Sequence, residues 1–183
     1  MRTQHQFASY KLKPHAKEQL LADLQYYRIG ISIISESRFT KHHSAQFSAL
    51  QGYVVHRLDR LERGGGGVAI YMYVSDQYDS VICSTSVDNR DYELLWVLVK
   101  RRSSVILVGG LYHPPKYSYR IQDILGYIEA TLDELLHLHP NASVILASDF
   151  NKLNVDCPNG SSSADQSANT RAKNIGYDND LCL

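Results

Sequence analysis

The chain has 183 residues, of which 44% are hydrophobic and 21% charged, with 19 basic residues balancing 19 acidic ones. These values fit one globular domain with a substantial core and exclude wholesale disorder. The zero formal net charge excludes a global basic field, so any nucleic-acid contact must come from local patches. In chain order, "PHAKEQLLADLQYY" places Ala16, Leu20, Leu24 and Tyr27 on one helical face, with Pro14 suited to the first turn. "RIGISIIS" alternates Ile29, Ile31 and Ile33 and predicts a strand ending at Ser35-Glu36. "GGVAIYMYV" and "YELLWVLVK" predict two more strands. "KRRSS" is a turn-like break before "VILVGGLY", which suggests an antiparallel pair. "YSYRIQDILGYIEATLDELLHLHP" is the clearest helix: Ile121, Ile124, Leu125, Ile128, Leu132, Leu135 and Leu136 keep helical spacing, and Pro140 stops it. "SVILAS" is a last short strand. The order α, β, several β, α, β points to a mixed-sheet α/β arrangement with helices packed outside.

After Leu153 the character changes. Residues 154–183 are rich in Ser, Asn, Asp and Gly without apolar periodicity, and such a segment cannot bury enough surface to offset its ordering entropy. The expected organisation is a domain over 1–153 and a disordered polar tail over 154–183. Cys83, Cys157 and Cys182 are widely spread and lack metal-type spacing, which reads as free thiols in a reducing compartment. No apolar run approaches the roughly 18 residues that span a bilayer, and the first residues hold no apolar signal core. The expectation is a soluble intracellular chain without membrane contact, the nucleus being compatible with it.

Three polar groups follow directly on apolar strands: Glu36, Tyr112 and Asp149, with Asn151 two residues beyond the last. Strand ends are held by a rigid scaffold yet reach solvent, which makes them natural site positions. Two carboxylates and an amide suit a hard cation such as Mg²⁺, which takes few protein ligands and completes its shell with water and phosphate oxygens. The bland reading of each residue alone is a strand cap; the joint pattern favours phosphate handling. The run "ERGGGGVAIY" precedes a strand and lacks a following Gly-Lys-Ser/Thr, so it reads as a flexible turn and not as a nucleotide cradle. His137 and His139 read as helix-end groups favoured by the dipole, and His42-His43 as a solvated loop pair. His113, beside Pro114-Pro115, lies near the candidate site. The basic clusters at 56–63 and 100–102 read as solvated loops that could meet phosphates.

Taken in order, "ISIISESRF", "RGGGGVAIYMYV", "GGLYHPP" and "VILASDFN" resemble the endonuclease/exonuclease/phosphatase superfamily, and most of all the endonuclease domain of non-LTR (LINE-type) retrotransposons. The resemblance covers roughly residues 12–154. It implies a four-layer α/β/β/α sandwich of two mixed sheets and Mg²⁺-dependent hydrolysis of DNA phosphodiesters, with Mn²⁺ as an admissible substitute. Carried over by motif, Glu36 is a metal ligand and Tyr112 hydrogen-bonds the scissile phosphate. Asp149 positions and polarises the attacking water, and Asn151 binds a phosphate oxygen. Three departures stand out. "FASYKL" holds no Asn where the family's opening strand carries one, and Ser148 replaces a favoured Gly. No Asp-His pair follows Leu153, the last histidine being His139. The expectation is therefore a C-terminally truncated, incomplete domain with an impaired site. Three rivals remain open: a non-catalytic nucleic-acid-binding remnant, a phosphatase of the same superfamily, and an α/β interaction module whose acids are strand caps.

Overall fold

The computed structural model describes residues 2–5, 15–60, 65–75, 78–86, 91–101 and 103–149, of which 2–5 and 78 are described in their backbone only. The segment "FASYKL", Pro14, Asn151 and the polar stretch from 154 onward lie outside the described residues. The elements are β1 (Arg2–His5), α1 (Ala16–Tyr26), β2 (Ile29–Ser35), α2 (Ala45–Ser48), β3 (Tyr53–Leu58), β4 (Val68–Tyr73), β5 (Tyr78–Ile82), β6 (Glu93–Arg101), β7 (Ser104–Tyr112), α3 (Ile121–Leu138) and β8 (Ser143–Asp149).

Two open sheets result, ordered β1-β2-β4-β3 and β5-β6-β7-β8. Each is mixed: β1 pairs parallel with β2, and β7 parallel with β8, while the remaining pairs are antiparallel. The predicted hairpin across Arg101–Ser104 is present as the β6–β7 pair. α3 is the crossover that lets β8 run parallel to β7, as a parallel pair requires.

Three apolar cores separate four layers. Leu20 and Leu24, one turn apart on α1, pack with Ile34, Phe39, Ala69 and Tyr71 on the outer face of the first sheet. Between the sheets, Ile31, Ile33, Val68, Ile70 and Met72 meet Leu95, Val97, Val99, Val108 and Tyr112. Outside the second sheet, Ile124, Leu125, Ile128, Leu132 and Leu135 of α3 cover Trp96, Leu98, Leu107 and Leu111. The Trp96 indole donates to Thr131 Oγ1 at 3.2 Å, which satisfies a buried N–H inside that layer. At Gly110 the sheets leave no room for a side chain. A Cβ there would stand 2.7 Å from Val68 Cγ1 and 3.0 Å from Ile33 Cγ2. The four-layer α/β/β/α sandwich follows.

Several sequence expectations need correction. Ile29 does not share a face with Ile31 and Ile33 but joins the α1 side. The cause is a register shift: Arg2 pairs with Ile29 and Thr3 with Ile31, so Gly30 is skipped and the side-chain alternation inverts. Tyr27 is 47% exposed and lies outside the helix, because α1 ends at Tyr26 and Arg28 takes a φ of 53° to turn the chain into β2. Residues 53–58 form a strand where a basic loop was expected over 56–63. His43 is not simply solvated: its Nδ1 accepts from the Thr40 N–H at 2.9 Å and its ring stacks on Phe47. Among the described residues, no helix is long and apolar enough to cross a membrane.

Candidate active site

One rim of the sandwich collects the polar ends of strands from both sheets. β6 and β7 are antiparallel and β7 and β8 parallel, so the start of β6 and the ends of β7 and β8 fall on one line. In register, Glu93 faces Tyr112 and Tyr112 faces Asp149. The inward-facing positions two residues away, Leu95, Gly110 and Ala147, point into the inter-sheet core; the period of two aims the three rim residues the same way.

The first sheet supplies Glu36 immediately after β2. Glu36 and Arg38 both take left-handed backbone, with φ of 55° and 57°, at a cost of about 1–2 kcal/mol each. The glycine turn helps to hold that shape. Ser37 N–H donates to Gly67 O at 3.0 Å and Arg38 N–H to Gly66 O at 2.8 Å. Gly65, Gly66 and Gly67 themselves have φ of 103°, 80° and 84°, which only glycine adopts cheaply. Arg38 Nη2 pairs with Glu36 Oε1 at 2.8 Å, and the Glu36 side chain keeps 34% of its surface open. The glycine run is thus a turn entering an inner strand, as expected, and also the cradle for two carboxylates.

The second carboxylate is Glu93, buried at the head of β6. It accepts a hydrogen bond from Gly67 N–H and pairs with Arg60 Nε at 2.9 Å. Burial pushes the Glu93 carboxyl above its ordinary range, the Gly67 N–H and Arg60 oppose this, and the Glu36 charge adds to it. Tyr112 is also buried. Its phenol is pushed up first by burial, then by the charges of Glu36 and Glu93, with Asp149 adding and Arg60 opposing. It therefore stays protonated at neutral pH and can donate a hydrogen bond to an anionic oxygen. Register places Glu93 and Asp149 on either side of Tyr112, and one turn joins Glu36 to Glu93: a Cβ at Gly65 would stand 3.8 Å from Glu36 Oε1 and one at Gly66 2.6 Å from Glu93 Oε2.

His113 is fully buried; its N–H donates to Asp149 O at 3.3 Å, and its Nδ1 is 2.9 Å from the Tyr119 hydroxyl. Burial lowers its pKa against the pull of Asp149, so it is a neutral ring that braces the end of β8.

Of the residues singled out in the sequence, Glu36, Tyr112 and Asp149 are brought to one rim, while Asn151 lies outside the described residues. Glu93 and Arg60 were missed. Arg60 stands just before the glycine run, and Glu93 is an acid opening an apolar strand. Their nearness to Tyr112 depends on antiparallel register, which no local pattern displays.

Among the described residues, no group of three or more His, Cys, Asp or Glu could hold a metal ion. A hard cation needs only one or two protein carboxylates. The half-open Glu36 carboxylate, with Asp149 on the same rim, is a donor set of that kind.

No family model matches the chain, and no curated protein matches it. Solved structures do. The endonuclease domain of TRAS1, a telomere-specific non-LTR retrotransposon, aligns at 15% identity and TM-score 0.62 over 94% of this chain and 70% of that one. A mannosyl-6-phosphatase of Bacteroides thetaiotaomicron aligns at 16% identity and TM-score 0.63 over 93% and 70%. TDP2 of D. rerio, complexed with a single-strand DNA product, aligns at 14% identity and TM-score 0.54 over 81% and 59%. An endonuclease/exonuclease/phosphatase family protein from Bacteroides thetaiotaomicron aligns at 19% identity and TM-score 0.56 over 74% of this chain and 54% of that one, so the chain shares its fold with these proteins. The chain spans 70% of the TRAS1 domain and 59% of the TDP2 structure.

Proposed function

We propose that the chain is a divalent-metal-dependent phosphodiesterase of the retrotransposon endonuclease type, acting on DNA, whose described rim supports only feeble turnover. The observation that carries this reading is the alignment of Glu93, Tyr112 and Asp149 across three adjacent strands, with Glu36 delivered to the same rim from the opposite sheet. Strand caps with no common purpose have no reason to converge from two sheets.

In this reading Glu36 holds Mg²⁺, which when bound neutralises charge on the phosphate. Tyr112 donates a hydrogen bond from its hydroxyl to a non-bridging oxygen, where charge grows in the transition state. Asp149 accepts a hydrogen bond from the attacking water and aims it in line. Asn151 donates to a second phosphate oxygen. Glu93 and Arg60 keep Tyr112 and the glycine turn in place. Among the described residues His113, the histidine next to Tyr112, is buried and does not reach the attacking water, so management of its proton, worth on the order of 10²–10⁴ in rate, falls to Asp149 alone.

The likeness to a mannosyl-6-phosphatase supports a second reading, a phosphatase acting on a small phosphorylated molecule. Nicking of supercoiled plasmid separates the two. Weak, Mg²⁺-dependent nicking abolished by EDTA and by Asp149→Ala is the expected result. Hydrolysis of small phosphomonoesters without nicking would favour the phosphatase, and metal-independent DNA binding without either activity a binding remnant. Robust nicking would overturn the impairment.

A further inference from the structure

Next to the rim lies an aromatic group that the phosphodiester chemistry does not use. Tyr117 is half-buried on the loop that leaves β7, following the exposed Pro115 and Lys116. Its ring lies 4.4 Å from the buried His113 ring and is stacked at 5.3 Å on Tyr119, with 28° between the planes. His113 and Tyr119 are themselves 5.7 Å apart. These three centroids make a compact triangle, so Tyr117 is backed by two rings while part of its surface stays exposed. The support is rigid, since His113 is hydrogen-bonded to Tyr119 and, through its backbone, to Asp149. His113 also follows Tyr112 directly in the chain. Tyr117 is thus a ring locked from behind, one bonded step from the two residues read as engaging the phosphate.

We propose that Tyr117 is a stacking platform for an unpaired nucleobase beside the phosphate engaged by Tyr112 and Asp149. Single-stranded or locally unpaired nucleic acid is then the substrate class of the rim. This inference rests on the phosphodiester reading above. A tyrosine face accepts any base, because every base presents a π-surface. A base still paired and stacked within a duplex has no face to offer. The ring arrives with its orientation already fixed by His113 and Tyr119, so little ordering entropy opposes the contact.

The test compares two oligonucleotides with the same number of phosphates, a single strand of ordinary bases and the same strand with abasic sites throughout. Binding to the full 183-residue chain is measured with Ca²⁺ replacing Mg²⁺ to prevent turnover. The wild type is expected to prefer the base-containing strand on the order of tenfold, the contribution of one base stacked on an aromatic ring. Tyr117→Leu should abolish that preference while leaving the affinity for the abasic strand unchanged, and Tyr117→Phe should retain it. Equal wild-type binding of both strands would overturn the platform and leave the phosphate reading standing. Equal loss of both affinities in Tyr117→Leu would also overturn it, as would loss of the preference in Tyr117→Phe. Binding of neither strand by the wild type would overturn the platform and the phosphodiester reading together.

Discussion

Replacing Gly110 by alanine tests whether the two halves of the rim are set by the spacing of the sheets. The added methyl would stand 2.7 Å from Val68 Cγ1, 3.0 Å from Ile33 Cγ2 and 3.4 Å from Ile70 Cδ1, all on the opposite sheet. Those partners are fully or almost fully buried β-branched residues in a close-packed layer, so the sheets themselves must give. Overpacking of this kind costs about 1–3 kcal/mol. The lower backbone freedom of alanine in the unfolded chain returns roughly 0.4–1 kcal/mol, leaving a net loss of about 1–2 kcal/mol. With a urea m-value of roughly 2 kcal/mol per molar, the unfolding midpoint should fall by about 0.5–1 M. Gly126→Ala on α3 is the control. Its methyl would meet nothing within 4 Å, so it should stabilise by about 1 kcal/mol through helix propensity. Function should suffer more than stability does. Glu36 belongs to one sheet and Tyr112 and Asp149 to the other, and a misplacement of about 1 Å costs on the order of 10² in rate. Metal-dependent nicking by folded Gly110→Ala should therefore drop well below that of Gly126→Ala. A midpoint for Gly110→Ala equal to or above the wild type would refute the close approach of the sheets and the argument built on it.

Glu93→Ala should destabilise by about 1–3 kcal/mol, because it strands the Gly67 N–H and the Arg60 guanidinium; an unchanged urea midpoint at pH 7 would deny Glu93 that role. Tyr71→Phe leaves Ser48 O without its 2.8 Å donor and should cost about 1–2 kcal/mol, read in the same denaturation series. For pH, burial holds His56 below its ordinary value of 6.5, its Nε2 lying 2.8 Å from Ser80 Oγ across the open edges of the sheets. The unfolded chain takes up this proton more readily, so the contribution is full above pH 6.5 and is lost as pH falls through the folded pKa. The stability gap between wild type and His56→Gln should accordingly narrow on going from pH 7.5 to 5.5. Comparing the two proteins at each pH cancels Glu93, whose raised pKa acts in the opposite sense; a gap that does not change with pH would contradict the burial of His56.

What could be read from the sequence follows the depth of burial. β2, β4, β6 and β7 are inner strands with buried side chains, α3 repeats its apolar side chains over 18 residues, and the edge strand β8 carries the apolar run 144–147, so their composition announces them. β3 and β5 are edges of their sheets. An edge needs polar residues on its open side, and His56, Arg57 and Asp79 disguise strands as loops. β1, with "RTQH" as its four residues, has no apolar signal and exists through its pairing with β2. Glu36, Tyr112 and Asp149 were legible for a related reason, as polar groups that interrupt apolar runs. Arg60 and Glu93 were not, because they become neighbours only once β3, β4 and β6 are stacked. Their partners are set by register and layer, which a linear pattern does not encode.

The first sheet is built entirely from residues up to Tyr73 and the second entirely from Tyr78 onward. Synthesis therefore completes one layer before the other exists. At about 5–20 residues per second, the remaining strands down to Asp149 take roughly 4–15 s to emerge. Until β6 and β7 emerge, Ile31, Ile33, Val68, Ile70 and Met72 lack the side chains that cover them in the finished core. A stall between Tyr73 and Ile106 leaves these residues without β7 to cover them. The ribosome thus exposes, on every passage, a half-molecule that holds Glu36 but neither Tyr112 nor Asp149, and whose sticky face can be quenched only by the half still to come or by a chaperone.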